Sequence, residues 1–397
     1  MNNENISVVD LFAGAGGWDV AAAALGWDVD RVEIWEPANL TAEKAGYRTV
    51  HEDVTTFHAA PGQYDVQIAS PPCQTYSMAG KGEGRANLDR VLNAIHGHDI
   101  SDLDARTGMV LEPLRIALEC RPTYIAWEQV IAVLPIWEAC ADVLREQGYS
   151  VSTGVLNAEQ YGVPQTRRRA VLMARRDGKE AALPTPTHSR FHSRDLKRLD
   201  AGVLPWVSMA QALGWTEPVE AVSNYGTGGD PKNRGVRHGD ESFSTVPSKS
   251  DRVVLHAVKS MGAGMVERHG ARPGRGVDQP AFTIRASAGG TEPGGFRWAL
   301  RSGNQAHASS NQTWVHARPA TPVMGDPRIM KPGRKERGPG GEASMSGAIK
   351  VTAEQAACLQ TFPAGHPFQG NKGQVFQQIG NAVPPLLAHA ILSTLTA

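Results

Sequence analysis

Cys73, Glu128, Arg167 and Arg169 are the side chains of this 397-residue chain whose chemistry packing alone does not explain. Cys73 stands in Ser70-Pro71-Pro72-Cys73-Gln74, just past the apolar run Val66–Ala69. A cysteine on a loop at the carboxyl end of a strand is placed for nucleophilic attack. The plain alternative is a small residue filling a turn. The prolines before it restrict the backbone and fix the direction of the side chain. Glu128, in Trp127-Glu128-Gln129-Val130, ends a second hydrophobic run, where it can act as a general acid or cap a helix. Gln165-Thr166-Arg167-Arg168-Arg169 leads into the apolar run 170–174. Strand alternation puts Arg167 and Arg169 on one face. Two guanidiniums there can bind a phosphate or a carbonyl oxygen, or simply form an exposed basic edge.

These residues need elements to position them. Over the first ~180 residues, short β-type runs alternate with helical ones. Val8–Phe12, Val32–Trp35, Val66–Ala69 and Thr123–Trp127 read as strands, and further strands are expected near 150–156 and 170–174. Gly17–Leu25, Ala38–Ala45, Gly108–Glu119 and Ile136–Gln147 read as helices. Such alternation predicts an α/β domain with a mostly parallel sheet. Beyond Pro184 the texture changes: residues 188–340 hold 21 of the 42 glycines, and helical periodicity is weak. A separate, loop-rich region of short strands is expected there. Phe243–Val246, Phe282–Arg285 and Ala320–Val323 resemble one another and suggest an imperfect repeat of short strands. Residues 331–346 read as a linker. Helical patterns return at Thr352–Gln360 and in the apolar Pro384–Leu395, which needs a surface to cover; the first domain is the candidate.

The first strand runs into Asp10-Leu11-Phe12-Ala13-Gly14-Ala15-Gly16-Gly17. Glycines at this turn let the backbone approach a ligand at the carboxyl edge of a sheet. The Gly-x-Gly-Gly spacing differs from the dinucleotide Gly-x-Gly-x-x-Gly, so a nucleoside-type cofactor is expected rather than a pyrophosphate. An acid after the second strand often binds a ribose. Glu33 or Glu36 stands there, and Asp53 could reach an adenine amino group.

Net charge is zero, but it is unevenly spread. Residues 188–340 carry 22 Lys and Arg against 13 Asp and Glu. A surface for a polyanion is one reading; an Arg-rich, merely soluble insertion is the other. The four cysteines form no Cys-x-x-Cys pair, so neither a zinc site nor a redox pair is indicated, and no metal is expected. With no run of ~18 apolar residues, no membrane span is expected. The N-terminal residues lack the pattern of a signal peptide, and a cytoplasmic location is expected.

Taken in order, the segments Asp10-Leu11-Phe12-Ala13-Gly14-x-Gly16-Gly17, Pro72-Cys73-Gln74, Glu128-x-Val130, Gln165-x-Arg167-x-Arg169 and Gln378-Ile379-Gly380-Asn381-Ala382-Val383 resemble the cytosine-C5 methyltransferase family. The resemblance covers roughly residues 6–176 and 348–395. It implies a Rossmann-like, S-adenosylmethionine-dependent α/β methyltransferase domain, residues 1–187 and 347–397. A smaller, loop-rich β target-recognition domain with a linker, residues 188–346, would be inserted into it. Gln279–Ile284 and Gly289-Gly290 look like the segment where that insertion returns to the catalytic domain.

The resemblance also implies roles. Cys73 would add to C6 of a cytosine in duplex DNA, making C5 nucleophilic enough to accept a methyl group. Glu128 would hold the base edge in a protonated or proton-sharing state. Arg169 would bind the base carbonyl and favour the Cys73 thiolate, with Arg167 and Gln165 in support. Asp10, Phe12, Gly14, Gly16, Gly17, Trp35, Glu36, Asp53, Pro72, Asn381 and Ala382 would form the S-adenosylmethionine site. Ser77 and the loop from Lys81 to Asp104 would contact DNA near the flipped base or close over it. The protein is expected to act as a monomer on double-stranded DNA, with a restriction endonuclease as a separate functional partner. An RNA cytosine-C5 methyltransferase would use the same catalytic residues, but the large basic insert favours duplex DNA. The intact Cys73, Glu128 and Arg169 disfavour a silent DNA-binding homologue. The chain departs from the family pattern at three places: Gln129 stands for Asn, Trp18 for Phe, and Ile34 aligns with the ribose-binding Glu.

Overall fold

A three-layer α/β/α arrangement follows from strands whose alternate residues serve two different cores. The computed structural model describes residues 6–72, 76, 88–97, 105–192, 198–214, 219–223, 253–257, 281–282, 296–298 and 349–397. Its elements begin with β1 (Ser7–Leu11), α1 (Gly17–Ala24), β2 (Asp28–Val32), α2 (Glu36–Lys44), β3 (Arg48–His51) and β4 (Val66–Ala69). There follow α3 (Leu88–Gly97), α4 (Ala105–Gly108), α5 (Glu112–Cys120), β5 (Tyr124–Gln129), α6 (Leu134–Glu146), β6 (Ser150–Asn157), β7 (Gln165–Thr166) and β8 (Arg168–Arg175). Then come α7 (Met209–Leu213), β9 (Val219–Ser223), β10 (Val253–Ala257), β11 (Ala281–Phe282), β12 (Phe296–Trp298) and β13 (Ile349–Val351). The chain closes with α8 (Ala353–Leu359), α9 (Lys372–Asn381) and α10 (Pro385–Leu395).

The seven-stranded sheet has the order β3-β2-β1-β4-β5-β8-β6. Its strands from β3 to β5 are parallel, while β8 runs antiparallel to both β5 and β6. The α/β class expected from sequence is the observed one. The reversal at β8 matters for the site. The carboxyl ends of β1, β4 and β5 and the amino end of β8 all reach the same sheet edge.

On one face, Val9, Leu11, Ile125, Trp127 and Leu172 pack with Trp137, Cys140 and Leu144 of α6. On the other, Val8, Ile68, Ala126, Val171 and Met173 pack with Trp18 of α1 and with Leu387, Ile391, Leu392 and Leu395 of α10. Burying each such Leu or Ile is worth about 1.5–3 kcal/mol. That gain explains why the terminal apolar helix docks on the first sheet.

Local chemistry sets the helix starts. Proline stands in the first turn of α2, α5, α6 and α10, where its missing N–H costs nothing. Thr352 with Gln355 and Asn371 with Gln374 form capping boxes that open α8 and α9. Two differences from the sequence-based boundaries have physical reasons. The strand expected at Val32–Trp35 lies earlier, at Asp28–Val32, and past Val32 the Glu33 side chain turns back onto nearby backbone amides. The helix expected from Gly108 is interrupted: α4 ends at Gly108, a 3-10 turn follows at Met109–Leu111, and α5 begins at Glu112 with Pro113 in its first turn.

Within 188–346, β9 pairs antiparallel with β10, while β12 pairs antiparallel with β13, which lies beyond that region at Ile349–Val351. The two-residue β11 lies parallel to β7. Of the suspected repeat, only Phe282 falls on a described residue; Phe243–Val246 and Ala320–Val323 lie outside them, as does Gly289-Gly290. Among the described residues, no helix is long and apolar enough to cross a membrane.

Candidate active site

The glycine turn after β1 is held in an unusual conformation by side chains below it. Phe12 has φ of 61°, with Gly14 at 58° and Gly16 at 93°. A left-handed conformation costs a non-glycine residue roughly 1–2 kcal/mol, and such outliers gather at functional sites. The cost is offset by contacts to neighbouring strands. The Phe12 and Ala13 amides both donate to the Val32 carbonyl, at 2.9 and 3.2 Å. Glu33 accepts from the Gly14 amide at 2.8 Å with Oε2 and from the Trp35 amide at 2.7 Å with Oε1. Arg31 Nη2 donates to the Gly14 carbonyl, and His366 Nε2 donates to the Ala15 carbonyl at 3.0 Å.

Acids dominate the ground beneath this turn. Asp10, Asp19 and Arg31 are fully buried, and Arg31 Nε lies 3.3 Å from Asp19 Oδ1. Burial, followed by the neighbouring charge of Asp19, pushes the Asp10 carboxyl well above the usual range. Burial likewise raises Asp19 and Glu33, against the pull of Arg31. Three acids therefore surround one guanidinium, and burial favours their neutral forms.

The segment before Cys73 is held at Ser70 and Pro71. The Ser70 amide donates to the Leu11 carbonyl at 3.2 Å. Its hydroxyl accepts from Trp18 Nε1 at 2.9 Å. Pro71 is buried, and its carbonyl accepts from Gln129 Nε2, while Gln129 Oε1 accepts from the Val130 amide. The longer Gln129 amide thus still reaches the Pro71 backbone. Pro72 is exposed. Cys73 itself lies outside the described residues, as do Ser77 and the loop 81–87 and 98–104.

Glu128 stands beside this grip, only 4% exposed. Arg169 Nε is 2.7 Å from Glu128 Oε1, and Arg167 Nη2 is 4.0 Å from the same oxygen. The antiparallel register makes this possible, because Glu128 faces Val171 and Gln129 faces Ala170 across the strands. Both arginines are buried, so the basic-edge alternative fails. Arg167 also donates to the Gly380 and Asn381 carbonyls at 3.0 and 3.4 Å. Those carbonyls end α9, where the helix dipole favours a cation. Gln165 Nε2 donates to Gln360 Oε1 at 2.6 Å, and Gln360 in turn donates to the Ala382 carbonyl at 2.5 Å. The β7–β8 residues therefore tie residues 380–382 in place. The next residue, Val383, closes over Gly17, leaving no space there for a side chain.

Other residues singled out from sequence stand around this core. Trp35 is half-buried at the amino end of α2, and Glu36 is exposed in its first turn. Ile34 is 68% exposed at the tip of β2. Asp53 caps a short turn, its Oδ1 accepting from the Thr55 amide and hydroxyl at 2.9 and 2.8 Å. The Thr55 hydroxyl bond, then the Thr55 amide, holds the Asp53 carboxyl below its usual range. Asn381 is exposed and Ala382 buried. Sequence reading did not single out Gln360 or His366. With Thr361 they are the polar residues of the mostly apolar 356–368 stretch, a signal that was present but not specific.

Comparison with known proteins points to one family. The model of the C-5 cytosine-specific DNA methylase family matches residues 6–397. The Type II methyltransferase M1.HphI of Haemophilus parahaemolyticus is 26% identical, over 98% of this chain and 86% of that protein. The Type II methyltransferase M.XorII of Xanthomonas oryzae is 27% identical, over 96% of this chain and 82% of that protein. Among solved structures, the Entamoeba histolytica methyltransferase EhMeth superposes with a TM-score of 0.52 at 13% identity, covering 99% of this chain and 98% of that one. That likeness supports the fold alone.

Proposed function

This chain belongs to the C-5 cytosine-specific DNA methylase family and is a DNA cytosine-5 methyltransferase; on that premise we propose that Cys73 is its nucleophile and S-adenosylmethionine its methyl donor. The observation that carries the proposal is the convergence at one sheet edge. Ser70-Pro71 before Cys73, the Glu128–Arg169 pair and the Gly14–Gly17 turn are joined there through Trp18, Gln129, Arg167 and Val383.

The site fits the cofactor. Phe12 offers a partly buried ring at the turn, and Asp53 a carboxylate held in its charged form. When bound, S-adenosylmethionine supplies an electrophilic methyl group. Cys73 adds to C6 of the cytosine, so that C5 becomes nucleophilic. Once C5 has gained the methyl group, its proton leaves and Cys73 is expelled. Glu128 holds the N3 and amino edge of the base, and Arg169 the O2 carbonyl. Before the base enters, the two side chains satisfy each other. A buried carboxylate left unpaired would be costly, so the pair keeps the empty pocket stable.

A stacked cytosine cannot present C5 and C6 to this edge. It must swing out of the duplex, at a cost of a few kcal/mol. Phosphate contacts from the basic segment offset that cost and make binding salt-sensitive. Residues 1–187 and 347–397 form the catalytic domain, and 188–346 the target-recognition domain with its linker. The β11–β7 pairing supports a return of the insert at Gln165-Thr166. Replacing residues 188–340 with those of a relative is expected to change the sequence methylated, as read by bisulfite sequencing. Unchanged specificity would refute the division. We place the enzyme in the cytoplasm as a monomer, with double-stranded DNA as substrate and a restriction endonuclease as a separate partner.

The ribose end of the cofactor site makes a second expectation. Glu33 is committed to two amides, and Ile34 presents an apolar surface instead of an acid. Ile34→Glu should tighten S-adenosylhomocysteine binding by about tenfold, the worth of one charged hydrogen bond. Titration calorimetry reads this directly. Unchanged or weaker binding would show that the tip of β2 does not face the ribose.

A further inference from the structure

We infer that Trp18 and Ser70 form a positioning pair that aims the Cys73 loop from the cofactor side of the site; this rests on Cys73 being the nucleophile. The carrying observation is the hydrogen bond from Trp18 Nε1 to Ser70 Oγ, 2.9 Å long. Trp18 is 2% exposed and stands next to Gly17 at the start of α1. Ser70 stands three residues before Cys73.

The reason for such a bond lies in the two prolines. Pro71 and Pro72 have no N–H, so neither can donate a backbone hydrogen bond to a neighbouring strand. Regular sheet pairing ends with the Ser70 amide on the Leu11 carbonyl. Over Pro71 and Pro72 the backbone can be hydrogen-bonded only through its carbonyls, and the Ser70 hydroxyl offers a further contact just before them. Gln129 takes the Pro71 carbonyl from the β5 side. Trp18 takes the Ser70 hydroxyl from the α1 side, so the approach to Cys73 is fixed from both flanks. A phenylalanine at position 18 would fill the same space between α1 and the sheet but could not donate. The indole therefore adds a directional contact to a position that otherwise serves packing.

The two roles separate experimentally. Trp18→Phe keeps most of the packing and removes the donor; Ser70→Ala removes the acceptor by a smaller change. Trp18→Phe, Ser70→Ala and the double variant are compared with the wild type. The rate of covalent trapping on duplex DNA carrying 5-fluorocytosine is measured at saturating DNA and S-adenosylmethionine. Thermal unfolding and S-adenosylhomocysteine affinity are measured alongside. Each single variant should trap about fivefold more slowly, the worth of one net hydrogen bond. The double variant should be no slower than either single one, because both remove the same contact. Cofactor affinity should not change. Wild-type trapping rates in both single variants, or additive losses in the double, would overturn the pairing. Cys73→Ser run in parallel keeps the premise separate: trapping by that variant would overturn the nucleophile, whatever Trp18 does.

Discussion

Cys73→Ser is expected to abolish methyl transfer while leaving DNA binding intact. The mechanism requires a soft nucleophile that adds to C6 and is later expelled. A serine hydroxyl is far less acidic than a thiol and meets neither requirement at neutral pH. Nothing else in the described site substitutes for it. Cys120 and Cys140 are fully buried in the core, and burial pushes both thiols up, that of Cys140 most strongly. Cys358 is exposed on α8 with its Sγ donating to the Ala212 carbonyl, away from the Pro71 grip. Bisulfite sequencing of DNA from cells expressing the variant should find no methylated cytosine beyond background. A gel-shift assay should find DNA affinity preserved, since base contacts and phosphate contacts remain. Residual methylation at the wild-type sites would assign the nucleophile elsewhere.

Gly17→Ala should be the most disruptive of the small substitutions. A Cβ at this position would lie 3.1 Å from the Val383 nitrogen, 3.2 Å from its carbonyl carbon and closer still to its carbonyl oxygen. These are backbone atoms and cannot rotate away. In an open helix the same change would stabilise, by at most about 1 kcal/mol in a helix interior and less at the first residue of α1. Overpacking against fixed backbone costs about 1–3 kcal/mol, so the clash wins. The segment that must yield, 380–383, is tied to Gln165 through Gln360 and to Arg167 directly. Displacing it strains that network and opens the cofactor end of the site. Thermal unfolding should fall to lower temperature, and S-adenosylhomocysteine binding should weaken with it. A variant of wild-type stability would show that Val383 is free to retreat.

Much of this architecture was legible in the residues. Alternating apolar runs marked the strands of the first domain, and the apolar face of Pro384–Leu395 demanded a partner, which α1 and the sheet supply. The direction of β8 was less visible, since hydrophobic pattern carries no polarity. A clue was present: only a short stretch separates β6 from β8, with no room for the helical crossover that a parallel pair requires. The order of the residue types pointed to the family, whereas their hydrogen-bond commitments were not legible. Glu33 and Glu36 were equivalent candidates on paper. In the fold, Glu33 is spent on the Gly14 and Trp35 amides, and Glu36 points from an exposed first turn. Arg167 and Arg169 read equally well as an exposed edge; in the fold, the start of β8 and the residue before it bring them to Glu128. Trp18 read as a mild change from Phe, because a one-residue view cannot see an indole donor meeting Ser70.

The nucleophile is tested most directly by incubating the wild-type enzyme with S-adenosylmethionine and a duplex carrying 5-fluorocytosine in its recognition sequence. Fluorine at C5 leaves no proton to remove, so Cys73 cannot be expelled after methyl transfer. A denaturant-stable protein–DNA complex is expected, with the adduct mapped by mass spectrometry to the peptide containing Cys73. No stable complex, or an adduct on any other residue, would contradict the assignment.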